Sequence, residues 1–138
     1  LPACEARVAF GQGEKRKHAG TTAELVFDRA QALESLGGDE ELLANVASLF
    51  VDEAVSYRQA LIDALAAGDA ATLQREAHTV KSVLATFAYE AGRERALRLE
   101  QLAASGNLEA AEAATAEVIA ALQTLSEVLK GRETEAAC

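Results

Sequence analysis

The sequence predicts an all-α protein: an antiparallel up-down-up-down four-helix bundle with a short additional N-terminal helix. Three observations lead there. Half of the 138 residues are apolar, yet only 4% are aromatic and there is a single proline, a balance that favours helix. Apolar residues recur in steps of three and four along most of the chain, the spacing of helices with one buried face. Gly followed by Asp or Asn punctuates those runs, as helix ends followed by helix starts do. The length is that of one domain, large enough to bury a core without disulfides or metal. Residues 23–131 are assigned to the bundle, 1–22 to a linker or tail, and 132–138 to a C-terminal tail that frays.

Pro2, Gly11, Gly13, Gly20 and the basic run Lys15-Arg16-Lys17-His18 give the N-terminal stretch its linker character. A short helix is expected to start at Asp28, with Gln31 as capping-box partner. It would bury Ala30, Leu33 and Leu36 and end at Gly37-Gly38. Asp39 caps a long helix over about 40–67. Its stripe reads Leu42 or Leu43, Val46, Leu49 or Phe50, Ala54, Tyr57, Leu61, and Ala64 or Leu65. Gly68 stops it and Asp69 caps a third helix, expected to reach about Tyr89. Gly92 is read as a break. A fourth helix over about 91–104 buries Ala96, Leu99, and Leu102 or Ala103. Gly106 ends it, and Asn107 caps the last helix, whose stripe is Leu108, Ala111, Thr115, Val118, Leu122, Leu125 and Leu129. Gly131 is expected to close it. Short connections force successive helices to be antiparallel.

A net charge of −9 argues against nucleic acid, whose phosphates demand a basic face. No apolar run approaches a membrane span, and no signal peptide is visible. A cytoplasmic setting is therefore expected, with no membrane contact from this segment. Cys4 and Cys138 sit near the two ends and are read as free thiols. The chain contains no methionine; it is expected to be a segment of a longer protein or a processed product.

The candidate functional residue is His78, in the run Ala77-His78-Thr79-Val80-Lys81-Ser82. At about 100° per residue, Leu73, Ala77, Val80, Leu84 and Phe87 fall within about 40° of a common direction and form the buried stripe. His78 lies about 140° away, on the polar side. Ala71, Ser82, Ala85 and Tyr89 share its sector, so the imidazole stands among mostly small neighbours. Lys81, one turn on, is within side-chain reach. An exposed imidazole beside an ammonium, with low surroundings, suits an acceptor that a second protein approaches closely. A core histidine would not be placed so.

The same run resembles the signature of histidine-containing phosphotransfer (HPt) domains: Ala-His-x-hydrophobic-Lys-Gly, then small residues and a Phe. The resemblance extends through Phe27-Asp28-Arg29, Leu36-Gly37-Gly38-Asp39, Leu49-Phe50 and Ala67-Gly68-Asp69 to Leu99-Glu100. It covers residues 27–130. It implies a phosphorelay intermediate that takes a phosphoryl group on His78 from a receiver-domain aspartyl phosphate and passes it to another receiver. Response-regulator receiver domains are the implied partners. Mg²⁺ and its acidic pocket would belong to the receiver, and this chain would need no cofactor of its own. The resemblance also implies that Nε2 is phosphorylated while Nδ1 is held by a polar group from the next helix. Glu100 and Gln101 occupy that region, and Glu100 is preferred. The missing initiator then favours the C-terminal part of a hybrid sensor histidine kinase.

The chemistry is consistent with the residues alone. A neutral imidazole offers one nitrogen lone pair and is nucleophilic near pH 7, its reference pKa being about 6.5. Phosphoryl transfer needs chiefly positioning and charge neutralisation, and Lys81 supplies part of that charge. Gln74, Arg75, Ser82, Ala85 and Tyr89 are the candidate partner-binding residues. Arg75, Lys81, Arg93, Arg95 and Arg98 make this region basic in an acidic chain, either to steer an acidic receiver or simply to pair along helix surfaces. Two positions depart from the family pattern. Ser82 stands where Gly follows the lysine, and Ala88 where a second Gly often follows the aromatic position. The Ser82 hydroxyl is placed either to bond a phosphoryl group or to bond back to the His78 carbonyl.

Other chemistries fail on spacing. There is no His-Glu-x-x-His, no Cys-x-x-Cys and no Gly-x-x-x-x-Gly-Lys phosphate loop, so neither metal binding nor intrinsic kinase activity is expected. Two readings compete with the relay: an adaptor of the same fold that docks a receiver without carrying phosphate, and a purely structural bundle.

Overall fold

The computed structural model describes residues 26–137, with side chains as far as Gly131. The expectations for the tail 1–22, including Cys4 and His18, and for Cys138 lie outside the described residues. Every regular element among the described residues is a helix: α1 (Arg29–Ser35), α2 (Glu40–Ala67), α3 (Ala70–Thr86), α4 (Glu90–Ala104) and α5 (Leu108–Ala137).

The capping residues act where the sequence places them. The side chains of Asp28, Asp39 and Asp69 accept from the N–H groups of Gln31, Leu42 and Thr72, and Asn107 from that of Ala110, all at 3.0–3.1 Å. Each satisfies one of the donors that a helix start leaves without an internal partner. Gly37, Gly38, Gly68 and Gly106 all have positive φ, which lets the chain turn back at a helix end.

α2 packs on α3, α3 on α4, α4 on α5 and α5 on α2, so the four long helices close a ring, and α1 rests on α2. The α3–α4 seam and the α2–α5 seam therefore share no helix and face opposite ways. The core fills the ring's centre. Leu73, Ala77, Val80, Leu84 and Phe87, the expected stripe of α3, are fully buried. Phe87 joins the N-terminal segment to α2, with ring centroids 5.8 Å from Phe27 and 5.5 Å from Phe50, both edge-on, an arrangement that aromatic quadrupoles favour.

The alternatives left open on α2 are decided: Leu43 and Phe50 enter the core, while Leu42 and Leu49 are exposed. Other expectations are corrected. In α1 Ala32 is buried and Ala30 exposed, because seven residues make too short a wheel to fix a phase. α5 does not close at Gly131 but continues to Ala137; one glycine costs only about 1 kcal/mol in a helix. α3 ends at Thr86, three residues early, and Gly92 is no break but a buried residue of α4's first turn.

Candidate functional site

Helix α3 presents the site. Asp69 starts it, with Oδ1 accepting from Thr72 N–H at 3.1 Å and Oδ2 from Thr72 Oγ1 at 2.7 Å. These bonds hold its carboxyl below the usual carboxylate value. The buried stripe fixes the helix's rotation, so His78 projects outward with its side chain 60% exposed. Ala71, Ser82 and Ala85 around it are exposed as well. Ser82 Oγ donates to the His78 carbonyl at 3.2 Å. Of the two readings of that hydroxyl, the back-bond is the one present.

The decisive contact comes from α4. Burial of Ala96, Leu99 and Ala103 turns Glu100 into the α3–α4 seam, where its side chain is only 17% exposed. Glu100 Oε2 lies 2.9 Å from His78 Nδ1, and Oε1 lies 2.7 Å from Lys81 Nζ. At that distance the lysine contact is a close ion pair. The Lys81 ammonium, followed by the His78 contact, holds the Glu100 carboxyl below its ordinary value against the opposing effect of burial. An ionised carboxylate only accepts. Nδ1 must therefore carry the proton and donate to Oε2, which leaves the lone pair on the outward Nε2. The tautomer is thus set by a half-buried anion, as second partners of histidines commonly do.

A protein-family model described as Hpt domain matches residues 45–128, more than half of the chain, with His78, Lys81 and Glu100 all inside the match. The chain belongs to the Hpt domain family. Comparison with curated proteins gave no match, and comparison with solved structures gave none. Family membership carries histidine phosphotransfer in two-component signalling, with receiver domains as the interacting class.

In this Hpt domain Gln74 and Arg75 line a shallow groove beside His78, together with Glu76, Thr79 and Glu100. Glu76 and Thr79 were not singled out as site residues by the sequence. All of the groove's residues but Glu100 belong to α3, and Glu100 reaches the groove from α4. Gln101 is exposed, and Glu100 is the residue that reaches the ring. Tyr89 is corrected outright: it is 4% exposed, a core residue rather than part of a docking face. The wheel of α3 stops applying at Phe87. Ala88 takes φ 54°, its N–H bonds Ala85 O at 2.9 Å, and Tyr89 N–H bonds Leu84 O at 3.0 Å. That closure folds the next apolar side chain back against the helix.

The basic patch is largely internal pairing. Lys81 is held by Glu100, Arg93 by Glu90 at 2.5 Å, and Arg98 lies 3.8 Å from Glu117. Arg75 makes a 3.3 Å bond to Thr72 Oγ1. Among the described residues, no group of three or more His, Cys, Asp or Glu is placed to hold a metal ion. No helix there is long and apolar enough to cross a membrane.

Proposed function

We propose that this Hpt domain is a phosphorelay intermediate, accepting a phosphoryl group on His78 Nε2 from a receiver's aspartyl phosphate and passing it to another receiver. One observation carries the reading: the half-buried Glu100 carboxylate lies 2.9 Å from Nδ1 and holds its proton, so the nucleophilic lone pair faces solvent. In the forward step Nε2 attacks phosphorus, the phosphorus–acyl oxygen bond breaks, and its electron pair returns to the aspartate. The Nδ1 proton stays against Glu100, which offsets the positive charge that develops on the ring. Outward transfer reverses these events with a second aspartate. Lys81, one turn from His78, supplies local positive charge to the phosphoryl oxygens. The remaining charge, including Mg²⁺, is assigned to the receiver.

The exposed small residues Ser82 and Ala85 support close approach of a receiver, and Gln74 and Arg75 extend that face. The same reading takes the ring of four helices as an antiparallel up-down-up-down bundle, since two or three residues join each long helix to the next, and it places the domain in the cytoplasm.

The test is incubation of the 138-residue chain with a phosphorylated receiver. The expected product is acid-labile, base-stable phosphate on this chain. His78→Gln should abolish it without altering cooperative unfolding, because an exposed side chain leaves no cavity. Labelling retained in that variant would refute His78 as the acceptor. Receiver binding without labelling of the wild-type chain would return the adaptor reading.

A further inference from the structure

The α3–α4 seam, which brings Glu100 to His78, is the most extensive helix pairing among the described residues. The buried face of α4 is Gly92, Ala96, Leu99 and Ala103, with Leu99 its one large side chain. Small side chains at a helix contact shorten the distance between the two axes. At its start the seam is sealed by the Tyr89 ring. Tyr89 is buried, as is Leu84 of α3, and the Tyr89 N–H bonds Leu84 O at 3.0 Å. Tyr89 is thus anchored to the end of α3. A Cβ on Gly92 would sit 2.7 Å from Tyr89 Cε2, 2.8 Å from Tyr89 Cδ2 and 3.1 Å from Leu84 Cδ1. Carbon atoms in contact rest about 3.5–4.0 Å apart. The first turn of α4 therefore lies as close to the end of α3 as a bare Cα permits.

Glu100 depends on that closeness. Its carboxylate meets two groups of α3 at once, His78 Nδ1 at 2.9 Å and Lys81 Nζ at 2.7 Å. It stands on the same unbroken helix as Gly92, about 12 Å further along the axis. A short helix moves as a rod. Lifting its first turn by about 1 Å, the amount a methyl group at Gly92 requires, lifts the carboxylate too, and one side chain then cannot keep both contacts. We propose that Gly92 is a positioning residue for phosphotransfer: its bare Cα sets the depth at which Glu100 meets His78, and with it the tautomer that leaves the lone pair on Nε2. The inference rests on the phosphorelay reading of His78. Gly92 itself is buried and acts only through Glu100.

Gly92→Ala in the full chain tests this with two measurements. The first is the ¹⁵N spectrum of the His78 ring, its signals identified by their absence in His78→Gln. At about pH 8.5, about two units above the reference imidazole pKa, the spectrum reports which nitrogen carries the proton. The wild type should show Nδ1–H, and Gly92→Ala should shift the population toward Nε2–H. The second is transfer from a saturating phosphorylated receiver. It should slow about tenfold, the order of cost of a misplaced reacting group, with receiver affinity unchanged because the docking face is untouched. Leu125→Ala, in the core of α5, controls for lost stability and should keep the wild-type tautomer. Tyr89→Leu in the Gly92→Ala background withdraws the ring from the added methyl and should restore most of the Nδ1–H population. A wild-type tautomer and transfer rate in Gly92→Ala overturn the proposal and leave the role of His78 standing. So does a tautomer equally shifted in Leu125→Ala, or a double variant no better than Gly92→Ala. A wild-type ring protonated on Nε2 overturns the phosphorelay geometry and this inference with it.

Discussion

Glu100 serves two groups at once, the His78 ring and the Lys81 ammonium, and its titration links the site to stability. Its carboxyl is held below the ordinary value of 4.5 in the folded chain, chiefly by Lys81. A carboxyl lowered by folding stabilises the native state above its unfolded pKa, and that contribution is lost as pH falls through the lowered folded value. Asp69 and Glu90 are lowered in the same direction, so acid sensitivity of the wild type alone assigns nothing. Glu100→Gln separates them. Its denaturation midpoint should fall less than that of the wild type between about pH 5 and pH 3, because only the Glu100 contribution is missing. Parallel pH profiles would show that the carboxylate contributes nothing to folding. The preference for Glu100 over Gln101 came from the family resemblance, whose Leu-Glu pair falls on Leu99-Glu100. That one carboxylate also engages Lys81 was not legible in the sequence, since α3 and α4 meet only in the folded chain.

The end of α3 explains the largest misreading. Three of the four described inter-helix turns place glycine at the left-handed position, and the fourth places Ala88 there at φ 54°. No glycine signals the turn, and Tyr89 gives α4 no side-chain cap, so pattern alone extends α3 too far and puts Tyr89 outside. A left-handed residue other than glycine is strained by about 1–2 kcal/mol, offset in part by the greater unfolded-state freedom of glycine. Ala88→Gly should therefore stabilise the domain by about 0.5–1 kcal/mol, read as a rise in Tm of a few degrees. A fall in Tm would mean that the turn is not strained. Gly92 has the opposite sense. A Cβ there would sit 2.7 Å from Tyr89 Cε2 and 3.1 Å from Leu84 Cδ1. The Tyr89 ring is buried and cannot swing clear. Gly92→Ala should destabilise by about 1–2 kcal/mol, an overpacking cost reduced by the better helix propensity of alanine. Chemical denaturation measures it, and an unchanged midpoint would show that the ring yields.

On the proposed reading a receiver docks on the face around His78, and the accessibility of that face can be altered without touching chemistry. Ser82 and Ala85 are exposed on the imidazole's face. Ser82→Tyr and Ala85→Trp should each reduce phosphoryl transfer from a receiver about tenfold or more, the order of a lost interface centre. Unfolding free energy should stay within about 0.5 kcal/mol, as for other surface changes. Labelling by a small phosphodonor, which needs no docked protein, is the control and should fall far less. Transfer undiminished in both variants would place the docking face elsewhere. Lys81, Arg93 and Arg98 each face a carboxylate, whereas Arg75 bonds Thr72 Oγ1.

The helices, their caps and the outward placement of His78 follow from local pattern. Asp28, Asp39, Asp69 and Asn107 cap where they were read, and the α3 stripe is buried residue for residue, because capping and helical periodicity involve neighbours within one or two turns. Leu43 over Leu42, Phe50 over Leu49, the burial of Tyr89, the groove beside Glu76 and the bridge from Glu100 to Lys81 were decided by packing between helices. Those contacts join residues far apart in the chain, and periodicity gives each helix a face without saying which neighbour, at which height, that face will meet.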